Sequence, residues 1–243
     1  KADFIMANPP FNQKDWRSEN QLTDDPRWEG YDTPPTSNAN YGWILNMVSK
    51  LSSNGVAGFI LANGALSADG TEGEIRRKMI ERGLVEAIVL LPRNLFYSTD
   101  ISVTLWILNA NKKARVVNRN GEEIHYRDRE KEILFIDMRQ MGEPFEKKYV
   151  RFTDEDIRKV ADTYHNWQRE GHTETYTDMP EFCKSVRVNE EGGIADKGFS
   201  LVPSKYIEFV NRDESVDYDT HMKELQSELA DILRQEAISR ESV

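Results

Sequence analysis

Cysteine is almost missing from this chain: Cys183 is the only one among 243 residues. A lone thiol rules out an intrachain disulfide and leaves a cysteine-based zinc site without ligands. The four histidines, His125, His165, His172 and His221, share no ligand spacing, so no metal is expected. No G-x-S-x-G occurs, which removes the nucleophile elbow a serine hydrolase needs. Apolar runs stop short of the roughly 18 to 20 residues of a membrane span, and no charged-then-apolar leader opens the chain. The expected location is therefore cytoplasmic, with no membrane partner. Positive charge is also short. At −10 the chain is not expected to wrap nucleic acid on a basic surface of its own, so DNA affinity would come through a partner.

What is present argues for a packed protein. With 10 Phe, 9 Tyr and 5 Trp, the composition is too aromatic for a disordered segment. Asn8-Pro9-Pro10-Phe11 directly follows the apolar run Phe4-Ile5-Met6-Ala7. Two successive prolines hold φ near −65° and remove two amide donors, so a strand must end there. The carbonyls of Asn8 and Pro9 then have no ladder partner on that side and stand free for a substrate.

Helical and strand patterns alternate downstream. Asn40 to Ser52 has Trp43, Ile44, Met47, Val48 and Leu51 at helical spacing, with Asn54-Gly55 as its stop. Val56 to Ala62 reads as a buried strand. Thr71 and Glu74 have the form of a capping box opening a helix that ends at Gly83. Leu84 to Leu91 is a second continuous apolar strand. Ile101 to Leu108 follows too soon for a helical crossover, so antiparallel pairing with Leu84 to Leu91 is expected. Asn120-Gly121 marks a tight turn between Val116 and Tyr126, and Ile133 to Ile136 forms one more strand. Strands apolar on both faces and alternating with helices imply a mostly parallel sheet between helical layers. From about Phe152 the pattern changes. Thr153 caps a helix through Ile157, Val160, Ala161, Tyr164 and Trp167, and Thr220 to Ala237 forms a final amphipathic helix. Two regions are expected, 1–150 as a partial catalytic domain and 151–243 as a mainly helical appendage.

Asp3-x-Ile5-x-x-Asn8-Pro9-Pro10-Phe11 resembles the motif of S-adenosylmethionine-dependent adenine-N6 methyltransferases. Later stretches are similar, in order, to the modification subunit of type I restriction-modification systems: Pro34 to Tyr41, Leu61 to Leu66, Glu72 to Arg76, Leu95 to Tyr97, Leu105 to Asn109, Leu134 to Asp137, Thr153 to Ile157 and Pro203 to Tyr206. One departure is Ala2, where the family often has an aromatic. The resemblance implies an α/β fold, the C-terminal part of a doubly wound methyltransferase sheet with an antiparallel final strand, plus the helical appendage.

It also implies roles. Asn8 and the Pro9 carbonyl would each accept a hydrogen from an extruded adenine amino group, Pro10 would stiffen the elbow, and Phe11 would stack on the base. Phe96 would be a second wall for that base, although its apolar neighbours favour a core residue. Asn63 would sit between base and cofactor. Asp3, Asn38, Asn40 and Tyr41 would border S-adenosylmethionine. The family's Gly-rich cofactor loop is absent; Gly64, Gly70 and Gly73 lack its spacing. The chain, which begins Lys-Ala-Asp, thus reads as a piece starting mid-domain, and alone it is expected to be inactive. Implied partners are DNA, a specificity subunit, a second modification subunit and a restriction subunit. Trp16, Trp28 and Tyr31 either line a base pocket or anchor the loop from Asn12 to Asn40. Arg76-Arg77-Lys78 either touches phosphate or forms a solvated face. The terminal helix docks either on the specificity subunit or on its own domain. Two other functions share parts of the pattern: methylation of a glutamine side-chain amide, and a non-catalytic assembly subunit with a vestigial elbow.

Overall fold

A computed structural model describes residues 1–97, 100–210, 222, 226–229 and 232–233. Lys1–Glu208 form one compact unit and Phe209–Val243 a second. The helix expected over Thr220 to Ala237 lies outside the described residues except for 222, 226–229 and 232–233, which are helical.

The centre of the first unit is a six-stranded sheet. Its members are β1 (Ala2–Ala7), β2 (Leu51–Ala62), β3 (Val85–Leu90), β4 (Val103–Asn109), β7 (Glu132–Asp137) and β10 (Cys183–Arg187), in the order β1-β2-β4-β3-β7-β10. β1 runs parallel to β2, and β3 parallel to β7. β4 is antiparallel to both β2 and β3 and lies between them, with Trp106 opposite Phe59 on one side and Ile88 on the other. The antiparallel strand is thus interior, and the antiparallel edge is β10. The segment Cys-Lys-Ser-Val-Arg carries too few β-branched or aromatic residues to announce a strand.

Helices cover both faces. α1 (Asn40–Lys50) and α2 (Gly70–Glu81) bury Tyr41, Ile44, Leu45, Ile75, Met79 and Ile80 against Phe59, Leu61, Trp106 and Leu108. α3 (Asp154–Gln168) sets Trp167 against Ala87, Val89, Leu134 and Ile136 on the other face. Its start is the capping box of Thr153 with Asp156, each accepting the other's backbone amide hydrogen. The expected boundary near residue 150 therefore falls inside the compact unit, because α3 and β10 complete one face and one edge of the same sheet. Smaller elements sit outside it. β5 (Arg115–Arg119) and β6 (Glu122–Tyr126) form a hairpin whose turn, Asn120-Gly121, has positive φ at both residues. β8 (Glu143–Phe145) pairs with β9 (Tyr149–Arg151), and α4 (His172–Thr175) is a single turn.

Two local expectations need correction. α1 stops at Lys50, and Asn54-Gly55 lies within β2, where the register against β1 shifts between Ala2/Leu51 and Phe4/Val56. A Cβ added at Gly55 would stand 2.7 Å from the Ala2 carbonyl oxygen, so this glycine permits strand approach and does not end a helix. Thr71 caps nothing: α2 enters through Gly70 at φ +61 with Asp69 as an N-cap that makes no side-chain bond, and Glu74 instead binds Arg77. Its other end is as expected, with Gly83 at φ +71.

β3 is buried throughout and nonetheless carries Glu86, which is fully buried. Arg129 Nε and Nη2 donate to its Oε1 at 3.0 and 2.9 Å, and Gln168 Nε2 at 3.1 Å. Asn109 Nδ2 and Tyr164 OH donate to Oε2 at 2.7 and 2.9 Å. Burial alone would raise this carboxyl's pKa, but Arg129 and the surrounding donors hold it below the ordinary value. The network ties α3 and the β6–β7 turn to the central sheet.

Lys112, also buried, donates Nζ to the carbonyls of Val85 and Glu132 at 2.7 and 2.6 Å. Burial pulls its ammonium down from 10.5 to about 7. Between those values the unfolded chain binds the extra proton, so stability rises with pH through that window, by up to about 1.4 kcal/mol per pH unit. Lys112→Met should flatten the rise in urea midpoint between pH 7 and 10. Parallel profiles for variant and wild type would refute the assignment.

Candidate active site

Parallel strands end on the same rim, and this topology gathers the site residues from distant parts of the chain. β1 ends at Ala7, β2 at Ala62 and β3 at Leu90, followed directly by Asn8, Asn63 and Leu91, while the antiparallel β4 begins on the same rim, with Val103 opposite Ala62. Ligands of open α/β sheets bind outside such carboxyl ends.

The elbow occupies the end of β1. Asn8 is exposed, and Phe11 is half-buried against both core clusters. Among the described residues, no donor engages the Asn8 side chain or the Pro9 carbonyl. Two acceptors therefore stand free on a backbone that the prolines make rigid. Asn63 opens a short 3-10 turn after β2, and its Oδ1 lies 2.6 Å from the hydroxyl of Thr104, which is fully buried on β4. Phe96 lies in the loop leaving β3, half-buried against the cluster beneath α3.

The residues expected to border the cofactor are placed differently. Asp3 stands near the start of β1, at the opposite end from Asn8, and its carboxylate accepts the Ser52 hydroxyl at 2.6 Å. Tyr41 is fully buried and donates to the Ala65 carbonyl at 2.7 Å, with burial pushing its phenol up to about 12. Asn40 is 1% exposed, and its side chain is bonded to Asn12 at both ends. Asn38 Oδ1 accepts the Asn40 amide hydrogen at 2.9 Å. Each of these four side chains makes a hydrogen bond within the chain, and Asp3 is exposed. Among the described residues, no group of three or more His, Cys, Asp or Glu could hold a metal ion, and no helix is long and apolar enough to cross a membrane.

The loop after the elbow is anchored from within. Trp16 Nε1 donates to the Pro35 carbonyl and Trp28 Nε1 to that of Leu22, both at 2.7 Å, and the two rings meet edge-on at 6.2 Å. Trp16 rests on Gly42 of α1, where a Cβ would come within 3.1 Å of the ring. Arg17 gathers the carbonyls of Ser18, Glu19, Gln21 and Pro34. These aromatics hold the loop in shape. Arg76 is buried and holds the Ala68 and Phe199 carbonyls, Arg77 pairs with Glu74 and Glu81, and Lys78 pairs with Asp32. The basic triplet thus has its partners inside the chain. Two residues at the site had no signal in the sequence, Thr104 and Asn12. For Asn12, an asparagine at φ +52 right after the elbow is the only local cue.

Comparison with known proteins agrees with this geometry. A family model described as N-6 DNA Methylase matches residues 1–215. The chain is similar to the HindI type I restriction enzyme methylase subunit of Haemophilus influenzae, at 42% identity over 227 residues, covering 93% of this chain and 46% of the relative. Similarity to the MjaIX methylase subunit of Methanocaldococcus jannaschii is 33% over 245 residues, covering 99% of this chain and 41% of that one. The chain thus spans less than half the length of these curated relatives. The crystal structure of the type I restriction-modification system methyltransferase subunit from Streptococcus thermophilus matches with a TM-score of 0.69 at 25% identity, over 86% of this chain and 38% of that chain. With the family match running through most of its length, the protein belongs to the N-6 DNA methylase family.

Proposed function

We propose that this chain carries the target-base half of an adenine-N6 DNA methyltransferase site, working as part of the modification subunit of a type I restriction-modification system. The observation that carries the reading is the elbow itself: two unengaged acceptors, Asn8 Oδ1 and the Pro9 carbonyl, on a rigid turn at the carboxyl rim of the sheet.

An adenine amino nitrogen is a poor nucleophile because its lone pair is delocalised into the ring. An acceptor on each of its two hydrogens draws the nitrogen toward a tetrahedral shape and stabilises the positive charge that develops as it is alkylated. Oriented dipoles of this kind are typically worth about 2.7 to 4 kcal/mol. Proline rigidity supplies the orientation before substrate arrives. Phe11 offers a ring face to the base, a contact worth roughly 1 to 3 kcal/mol, once the base has left the duplex. Phe96 is a second wall on the same rim, and Asn63, held by Thr104, a polar contact beside it. S-adenosylmethionine is the methyl donor this chemistry calls for.

Relatives named as methylase subunits of type I restriction enzymes support a role inside such an enzyme, and the substrate and partners that go with that reading are DNA, a specificity subunit, a second modification subunit and a restriction subunit. The same names give no support to glutamine-amide methylation or to a non-catalytic scaffold. The test is labelled S-adenosylmethionine with duplex DNA and the complete polypeptide assembled with a specificity subunit, followed by nucleoside analysis. Label in N6-methyladenine is the expected result. Label in protein glutamine, or none from a complex that binds both DNA and cofactor, overturns the reading.

A further inference from the structure

Immediately after the elbow the chain turns sharply. Asn12 has φ +52, a left-handed conformation that few residues other than glycine adopt readily and that asparagine tolerates. That turn is clasped by a residue 28 positions on. The Asn12 amide hydrogen is donated to Asn40 Oδ1 at 3.0 Å, and Asn40 Nδ2 is donated back to Asn12 Oδ1 at 2.9 Å. A second tie lies beside the first, where the Ala39 amide donates to the Gln13 carbonyl at 2.9 Å. Asn38 completes the set by accepting the Asn40 amide hydrogen at 2.9 Å and donating to Asn12 Oδ1 at 3.4 Å.

The orientation of these amides is not arbitrary. A backbone N–H can only donate, so the Asn12 amide requires oxygen at the near end of the Asn40 side chain, and the nitrogen must then face Asn12 Oδ1. Asn40 is the first residue of α1, which the sheet holds rigidly, and its side chain is buried. The clasp therefore fastens the chain leaving the elbow to the body of the fold.

We propose that Asn40 is a positioning residue: through Asn12 it sets the direction in which Pro9, Pro10 and Phe11 leave β1, and it does not bind the cofactor. The inference rests on the reading of the elbow as the reacting site. Misplacement of a reacting group by about 1 Å can cost on the order of 10²-fold in rate, and the clasp at Asn12 acts only three and four residues from the acceptors on Pro9 and Asn8.

Its chemistry makes an asymmetric prediction. Asn40→Ala removes both the acceptor for the Asn12 amide hydrogen and the donor to Asn12 Oδ1, and so opens the clasp. Asn12→Asp keeps an acceptor for Asn40 Nδ2 and leaves it closed. Asn12→Ala removes the acceptor and disfavours the left-handed turn. In the complete polypeptide assembled with its partner subunits, Asn40→Ala and Asn12→Ala should each lower single-turnover methyl transfer by about 100-fold at saturating DNA and cofactor. Asn12→Asp should stay near wild type. All three should bind S-adenosylmethionine with unchanged Kd, and hydrogen exchange in residues 8–14 should accelerate only in the two slow variants.

An unchanged rate in Asn40→Ala overturns the proposal, and so does a weakened cofactor Kd with a normal saturating rate. If Asn40→Ala fails to assemble, the comparison of Asn12→Ala with Asn12→Asp, at an exposed position, decides alone, equal rates overturning the proposal. Asn8→Ala is assayed alongside. A full rate there removes the elbow as the reacting site and this proposal with it, whereas loss there with normal rates in the clasp variants removes only the clasp.

Discussion

Asn8→Ala should lower the rate of methyl transfer to adenine about 10² to 10³-fold in the assembled enzyme, which corresponds to the loss of one preorganised acceptor. The size of the effect follows from what the side chain does and does not touch. Asn8 is exposed, and among the described residues nothing bonds its amide, so removing it leaves the fold and its melting temperature unchanged. The full loss should therefore appear in the chemical step. The Pro9 carbonyl, being backbone, survives the substitution and sets the residual rate. Asn8→Asp keeps an oxygen at the same reach and should lose less than Asn8→Ala. Single-turnover kinetics with cofactor and DNA at saturation, alongside a thermal melt, separates these outcomes. A variant with normal rate ends the case for the elbow, and one that is inactive because it has melted reveals a structural role instead.

Arg129→Met should destabilise the folded unit by about 3 to 5 kcal/mol. Five donors converge on the buried Glu86 carboxylate, two of them from Arg129, and deleting the cation leaves an anion stranded between β3 and α3. Against a typical total of about 5 to 15 kcal/mol, that is enough to abolish soluble expression in many backgrounds. Glu86→Leu combined with Arg129→Met removes both charges together and should cost much less than the sum of the single changes, because no unpaired ion remains. Urea denaturation of the four proteins measures the coupling. Additive effects would mean that the two groups do not depend on each other, contrary to their 2.9 Å contact.

Both predictions concern residues whose meaning is spread unevenly between chain and fold. Asn8 is legible locally: two prolines after an apolar run make a rigid polar elbow wherever the rest of the chain goes, because φ is restricted by the ring itself. The same holds for the parallel strands, the Asn120-Gly121 hairpin and the Thr153 cap, each a matter of a few neighbouring residues. Glu86 is the opposite case. A carboxylate inside Val-Glu-Ala-Ile-Val-Leu appears out of place until Arg129, Asn109, Tyr164 and Gln168 are seen to converge on it from up to 82 residues away.

The surroundings of Asn40 and Tyr41 were hidden for the same reason. Asn40 and Tyr41 stand in a polar, aromatic stretch that looks exposed as sequence, yet α1 turns both inward, one toward Asn12 and the other toward Ala65. Nor could spacing reveal that β4 slots between β2 and β3, or that Cys183–Arg187 closes the sheet edge, since hydrogen-bond pairing between strands leaves no mark in the intervening residues. By itself, then, the sequence determined the strands, the elbow and the acceptors it exposes, all set by local sterics and hydrophobic periodicity. Only the tertiary structure decided which side chains hold that elbow in place and which remain free beside it, because a long-range hydrogen bond is chosen by where two distant backbones meet.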